Sequence, residues 1–257
     1  MTSDQELRRQ IRPLLDLSAP ADGVAAYYSL YHDPQRTRLF VAGPAERPRG
    51  FLAVCQTGQD LFRQTAVLRA RSVSAATSLL QRGLAPRRPY YLVTTTELRP
   101  AAEAVFEAER VKMNRIYRID LRRYNPQTNV LVTPALSANG ASRFVIQSQE
   151  SLLAEAGISW LSPHFAEIYV WTAPEARGRG WGKAVADSCV AWIIRSGIQP
   201  LYVVEEDDEA SIRLAKSVGF VDSGAREMTV EGTVRPDGGA DPGPPQGGRR
   251  ENADPDS

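Results

Sequence analysis

Cysteine, histidine and lysine are scarce in this chain of 257 residues, and its N-terminus has no apolar run. The two cysteines, Cys55 and Cys189, lie far apart, so we expect buried thiols in a reducing cytoplasm rather than a disulfide. The two histidines, His32 and His164, have no second ligand nearby at metal-binding spacing, and the sequence therefore predicts no metal site. Residues 1–17 are polar and charged, which predicts neither a signal peptide nor a membrane anchor.

An excess of charge of either sign is also missing. Lysine and arginine number 31 against 30 aspartates and glutamates, which gives a net charge of +1. Such a balance provides no strong field to attract nucleic acid or an anionic membrane, and we expect neither as a partner. With 42 % hydrophobic and 24 % charged residues, the composition suits one large or two small globular domains.

The most informative segment is Arg177 to Gly182, with the sequence RGRGWG. A predicted strand over residues 166–172 and a turn at Pro174 precede it, and a helix predicted over residues 180–196 follows. Three glycines let the backbone approach a ligand closely, and the N-terminus of the helix offers free N–H groups and positive charge. The pattern therefore predicts a pyrophosphate site, the alternative being a helix cap with basic decoration.

Two spaced patterns make this chain similar to a known family. Arg177, Gly180 and Gly182 match the (Gln/Arg)-x-x-Gly-x-(Gly/Ala) signature, and residues 208–220, DEASIRLAKSVGF, resemble a second signature that ends in Gly-Phe. Because the two occur in the correct order with one helix and one strand between them, they are more specific than a lone glycine pattern. Over about residues 144–232 the chain resembles the GNAT superfamily of acyl-CoA-dependent N-acyltransferases.

The resemblance implies a fold, a reaction and a set of ligand contacts. The fold is α/β, a mixed sheet with the order β-β-β-α-β-α-β, and the reaction transfers an acetyl or other acyl group from acetyl-CoA to a primary amine by direct attack on the thioester. The acceptor is a small-molecule amine or a peptide, and no metal is needed. In this family the third strand carries a bulge, and the pantetheine arm pairs with that strand in a gap. The implied cofactor contacts are Val170, Trp171, Thr172, Arg177, Gly178, Arg179, Gly180, Trp181, Gly182, Lys183, Asp208 and Ser211.

The periodicity predicts the elements of both halves, more faintly in the first. In the second half we expect strands at 144–147, 152–160, 166–172, 201–204 and 226–232, with helices at 180–196 and 209–218. In the first half we expect strands at 38–42, 50–55, 66–70, 90–95 and 113–121, with helices at 74–81 and 100–110.

This repeated order suggests that residues 1–123 are a degenerate copy of the domain at residues 124–232. The turn that corresponds to the glycine motif, residues 70–75, has no glycine, so the first copy is expected to hold no cofactor and to wall the substrate cleft or form a homodimer surface. The alternative is an unrelated α+β domain. Residues 233–257 are rich in Pro, Gly and Asp, which predicts a disordered tail.

Glu167 is the candidate general base, since an attacking ammonium must lose a proton. Strand alternation places it on one face with Tyr169 and Trp171, so it could point into the acceptor cleft, where aromatic neighbours would raise its pKa by desolvation. The alternative is an exposed acidic residue near a strand end.

Departures from the family pattern keep a second function open. Ala215 stands where many members have a tyrosine that protonates the leaving thiolate, Val203 where one branch has a glutamate, and Asp208 where an asparagine often binds pantetheine. Tyr202 and Tyr169 are the nearest substitutes for the missing acid. The alternative to an enzyme is therefore a non-catalytic sensor or scaffold that binds acyl-CoA.

Overall fold

The computed structural model describes residues 4–236 except residues 59, 61, 138, 139 and 150. Six helices lie in this part of the chain: α1 (Asp4–Ile11), α2 (Gly23–Ala26), α3 (Val73–Gly83), α4 (Arg99–Val105), α5 (Trp181–Arg195) and α6 (Glu209–Val218). Short 3₁₀ turns lie at Arg12–Leu14, Pro20–Asp22, Pro34–Arg36, Thr96–Leu98 and Pro174–Ala176, and a π turn at Tyr27–Tyr31.

The described strands form a single mixed sheet. They are β1 (Thr37–Ala42), β2 (Gly50–Cys55), β3 (Gln64–Ala70), β4 (Pro89–Thr94), β5 (Phe106–Ile119), β6 (Thr133–Leu136), β7 (Ser142–Ser148), β8 (Ser151–Leu161), β9 (Phe165–Thr172), β10 (Gln199–Glu205) and β11 (Phe220–Val234). Their order in the sheet is β1-β2-β3-β4-β11-β5-β10-β9-β8-β7-β6.

The final strands of the two halves are exchanged in this sheet. β5, which ends the first half, pairs antiparallel with β10 over residues 201–205. β11, which ends the second half, pairs antiparallel with β4 over residues 228–233. The two long strands also pair with each other along most of their length. Backbone hydrogen bonds therefore join the halves into one sheet, and neither half contains all the strands that complete its part of it.

Alternation along the strands divides the core between the two faces of the sheet. On one face α3 and α4 cover the first half and α5 and α6 cover the second, with side chains such as Leu52, Leu92, Ile168 and Val185 fully or almost fully buried. On the other face the N-terminal segment, residues 11–28, packs on the middle of the sheet. This segment covers only part of that face, and the rest lines a cavity.

Most predicted elements are present within a few residues of their predicted bounds, but two predictions were wrong. The helix expected over residues 100–110 ends at Val105, because residues 106–110 are extended and pair with β11. β11 begins at Phe220, six residues before the predicted strand. It also runs into the predicted tail, since Val234 is 1 % exposed. Residues 237–257 of that tail lie outside the described residues.

Three smaller observations complete the fold. β6 was not predicted, and it pairs with β7 at the far edge of the sheet. Cys55 and Cys189 are both buried free thiols. Among the residues that the structure describes, no helix combines the length and the apolar character that a membrane span needs. The division of the chain near residue 123, and the descent of the first half from a copy of the second, stay predictions.

Candidate active site

A gap opens between two neighbouring parallel strands of the sheet. β9 and β10 pair only at their beginnings, where residues 165–167 lie opposite residues 199–201. Beyond this point β9 stays bonded to β8 and β10 stays bonded to β5, so the two strands diverge. The upper part of β9, residues 168–172, therefore has an unpaired edge, and such an edge can accept an extended ligand as an additional strand.

The glycine turn closes one end of this gap. Gly178 and Gly180 have φ values of +76° and +75°, in the left-handed region that side chains disfavour. Gly180 is the N-cap of α5, and no side chain in the described part of the chain caps this helix end. A Cβ atom on Gly182 would lie 2.8 Å from Thr172 Oγ1, too close for an ordinary contact. The turn thus brings bare backbone to the N-terminus of a 15-residue helix, which suits a pyrophosphate.

The predicted cofactor residues line two adjoining grooves on the helix side of the gap. The groove at the mouth of the gap contains Val170, Trp171, Thr172, Arg177, Tyr202, Asp208 and Ser211. The groove beside it contains Gly178, Gly180, Trp181, Gly182 and Lys183. Arg179 lies next to them, with its guanidinium 5.0 Å from the centre of the Trp181 ring.

Three of these side chains already have partners within the protein. The Lys183 ammonium lies 2.5 Å from the carboxylate of Asp187, one turn along α5. Asp208 is the N-cap of α6, where its Oδ1 accepts a hydrogen bond of 3.0 Å from the Ser211 amide. Hydrogen bonds from Ser211 accordingly hold the pKa of Asp208 below its usual range. The hydroxyl of Tyr202 is hydrogen-bonded to the Ser211 side chain, while burial raises the pKa of Tyr202.

A cavity of about 430 Å³ occupies the opposite face of the sheet. Its floor crosses seven strands of the sheet, from β3 in the first half to β8 in the second, and the N-terminal segment contributes one wall. Val203 faces this cavity while its neighbour Tyr202 faces the helix-side groove, so consecutive residues of β10 reach opposite sides of the gap. The gap therefore lies between a groove suited to an extended cofactor and a cavity suited to a small molecule.

Glu167 lines this cavity at the point where β9 and β10 separate. Trp160 Nε1 donates a hydrogen bond of 2.6 Å to its Oε2, and Tyr27 stacks on the Trp160 ring at 5.5 Å. Protein surrounds the carboxyl group, although its surface remains partly open to the cavity. Burial raises the pKa of Glu167 to about 8, and the charge of Glu227 adds to that rise.

Glu227, a second buried carboxyl group in the same cavity, was not predicted from the sequence. It lies on β11 and is 5 % exposed. Burial raises its pKa to about 7, against the opposing effects of Arg69 and of a hydrogen bond from Asn114. The signal that could have found it is the alternation of Glu227, Thr229 and Glu231 with the apolar Met228 and Val230.

Two details of the predicted cleft were wrong. Tyr169 packs over Gly157 and Trp171 lines the cofactor groove, so neither is among the residues that line the cavity around Glu167. The aromatic residues that line this cavity are instead Tyr28, Tyr91 and Trp160. The extra residue of the bulge lies in β8, between Ile158 and Trp160, and not in the third strand of the motif. The extra residue therefore bends the β8–β9 pair from the β8 strand and not from β9.

Glu167→Gln is expected to raise the melting temperature relative to the wild type at pH 9 but not at pH 5. Because the pKa of Glu167 is raised from 4.5 to about 8, the wild type loses stability as pH rises through that interval, whereas glutamine does not ionise. Circular dichroism melts across this range measure the difference. Glu109→Gln, at an exposed carboxylate on β5, is the control. Its melting temperature should differ from that of the wild type by the same amount at pH 5 and at pH 9. Parallel curves for the Glu167 variant and the wild type would mean that the carboxyl group is well solvated.

Comparison with protein families identifies the segment that carries this site. Residues 103–220, from α4 to the first residue of β11, match the model described as the acetyltransferase (GNAT) family. The matched segment begins and ends earlier than residues 144–232, the range over which the two motifs suggested the resemblance. No curated protein sequence matches the chain.

Solved structures similar to this chain share its fold at low sequence identity. A Drosophila protein has a TM-score of 0.64 at 11 % identity, covering 91 % of this chain and 97 % of its own. A GCN5-related N-acetyltransferase from Kribbella flavida has a TM-score of 0.59 at 16 % identity, covering 83 % and 96 %. A tandem GNAT protein from the clavulanic acid biosynthesis pathway has a TM-score of 0.53 at 14 % identity, covering 91 % and 96 %. The predicted GNAT-like α/β fold is confirmed, and residues 103–220 are the part of the chain that matches the GNAT acetyltransferase family model.

Proposed function

We propose that this protein transfers an acetyl group from acetyl-CoA to a primary amine by direct attack of the amine on the thioester. The observation that carries the proposal is the gap between β9 and β10, which connects the glycine-turn groove on one face with Glu167 on the other. The pyrophosphate would bind at Gly178–Lys183, and the pantetheine arm would pair with Val170, Trp171 and Thr172. The thioester would then lie where the strands separate, within reach of the cavity.

Glu167 has the protonation behaviour that this reaction needs. An alkylammonium has a pKa near ~10, so at neutral pH it must lose a proton before its nitrogen can attack. A carboxylate whose pKa is about 8 accepts that proton far better than an ordinary one at 4.5. The amine then forms its bond to the carbonyl carbon, and a backbone N–H of residues 170–172 stabilises the negative charge that develops on the carbonyl oxygen.

We assign Tyr202 as the acid that protonates the leaving thiolate. Its side chain lines the helix-side groove, and its hydroxyl is held by Ser211 at the N-terminus of α6. Because burial raises the pKa of this phenol, it stays protonated at neutral pH and can donate its proton when the C–S bond breaks. Ala215, buried in α6, leaves no hydroxyl at the position that the family uses.

The proposal is tested by the release of free thiol from acetyl-CoA in the presence of primary amines and short peptides. We expect thiol release to require the amine and to be accompanied by an acetylated product in the mass spectrum. Binding of acetyl-CoA in calorimetry without amine-dependent thiol release would instead support the non-catalytic binding protein.

A further inference from the structure

The cavity on the Glu167 face is lined by more carboxyl groups than basic groups. Among the residues that the structure describes, its lining includes five carboxyl groups and two basic groups: Asp60, Glu167, Glu205, Glu227 and Glu231 against Arg63 and Lys112. Tyr28, Tyr91 and Trp160 provide aromatic surface in the same wall. A low-dielectric cavity with this excess of one sign favours ligands of the opposite charge.

The two basic side chains are already used by other carboxylates. Arg63 forms an ion pair of 2.7 Å with Glu231 and a second of 3.2 Å with Glu109, outside the cavity. The ammonium of Lys112 is hydrogen-bonded to the carboxylate of Glu205. Arg63 and Lys112 therefore form no ion pair with Glu167 or Glu227.

Glu227 has an incomplete set of hydrogen bonds. Asn114, its direct neighbour on β5, bonds to the carboxylate, but Glu227 Oε2 is buried and has no partner among the described residues. The positive charge of Arg69 lowers the pKa of Glu227. The Arg69 guanidinium, however, bonds to Asp22 and to the carbonyls of Leu68 and Ala21. Glu227 lines the cavity, and a buried carboxylate oxygen without a partner is costly unless a ligand supplies the donor.

We propose that the acceptor carries a second positively charged group, which binds Glu227 while its reacting amine lies at Glu167. The inference rests on the proposed function and names its substrate class: small aliphatic diamines or polyamines without a carboxylate. The cavity volume of about 430 Å³ fits molecules of this size, and the aromatic wall suits the apolar stem between two ammonium groups. An acceptor carboxylate would meet Glu227 and be repelled.

Matched acceptors test the charge requirement on the full chain. We would measure kcat/KM for thiol release with α,ω-diaminoalkanes of three to six carbons, each beside the monoamine and the ω-amino acid of the same length. The best diamine is expected to exceed its monoamine by about 10-fold or more, and the amino acid should be poorest. Glu227→Gln is expected to reduce the diamine-to-monoamine ratio by about 10-fold, and Glu109→Gln, on the exposed side of Arg63, should leave it unchanged.

The outcomes separate this inference from the proposed function. Equal kcat/KM for the diamines and monoamines, a preference for aromatic monoamines, or an unchanged ratio in Glu227→Gln would overturn the inference and leave the acetyltransferase intact. If acetyl-CoA binds but no amine gives thiol release, the proposed function fails, and calorimetry with the diamines then decides the inference. Diamine binding that is lost in Glu227→Gln supports the cationic site, and no binding to the wild type overturns it.

Discussion

Gly180→Val is expected to abolish acetyl-CoA binding while the protein remains folded. Gly180 has a φ of +75°, which a β-branched residue adopts only with strain, and its position at the N-cap of α5 places any side chain where the pyrophosphate would bind. No heavy atom lies within 4 Å of the added Cβ in the described structure, and the buried face of α5 is unaffected. Calorimetry should show at least ~100-fold weaker binding, with an unchanged circular dichroism spectrum.

Gly197→Val is the matched control for this variant. Gly197 follows the other end of α5 with a φ of +74° and an equally open Cβ position, so the substitution introduces a similar backbone strain away from the groove. It should lower the melting temperature and preserve acetyl-CoA affinity. Unchanged affinity in Gly180→Val would remove the glycine turn from the cofactor site.

The same titration counts the sites, and we expect one acetyl-CoA per chain. In the first half, the parallel strands β3 and β4 also separate after four paired residues, 64–67 on β3 and 90–93 on β4. Thr94, which is fully buried, donates from its hydroxyl to the carbonyl of Leu68 across the diverging strands. α3 begins directly after Ser72, without a glycine turn. The Thr94 hydroxyl thus bridges the gap that a pantetheine arm would need, and two equivalent sites would contradict this interpretation.

How much the sequence could predict depends on whether the determining contacts are local. The strand, glycine turn and helix at residues 166–195 were predictable because left-handed glycines and a helix N-terminus depend on neighbouring residues. The exchange of β5 and β11 was not, since it is decided by pairing between residues more than 80 positions apart. The same pairing overrode the last five residues, 106–110, of the helix predicted over residues 100–110.

In the candidate site, too, the features set by neighbouring residues were predictable and those set by distant strands were not. Alternation along β9 correctly placed Glu167 and Val170 on opposite faces, which is a local property of a strand. The pKa of Glu167 depends instead on distant parts of the chain: Glu227 on β11 adds to the rise that burial causes, and the hydrogen bond from Trp160 on β8 opposes it. Glu227 reaches this cavity only because β11 lies in the middle of the sheet beside β4 and β5. No periodicity in the sequence specifies that position.

Glu167→Gln is expected to lower turnover by about 100-fold at neutral pH, with acetyl-CoA affinity close to that of the wild type. The amide keeps the shape of the side chain and can still accept the hydrogen bond from Trp160 Nε1, but it cannot accept the proton of an ammonium. Acetyl-CoA affinity is preserved because the cofactor groove lies on the other face of the sheet. Steady-state kinetics with the best amine, together with calorimetry, measure both quantities.

The pH dependence distinguishes a base from a structural side chain. In the wild type, kcat/KM should rise as Glu167 loses its proton and level off above a pH of about 8. In the variant this rise of kcat/KM with pH should disappear. The difference in kcat/KM between the variant and the wild type should shrink towards pH 10, where the amine is itself deprotonated. Glu109→Gln, with the same chemical change at an exposed position, should follow the wild-type curve. A Glu167→Gln enzyme with wild-type rates at pH 7 would leave Glu167 as a cavity residue with no part in proton transfer, and a constant deficit at all pH values would indicate a role in binding the acceptor.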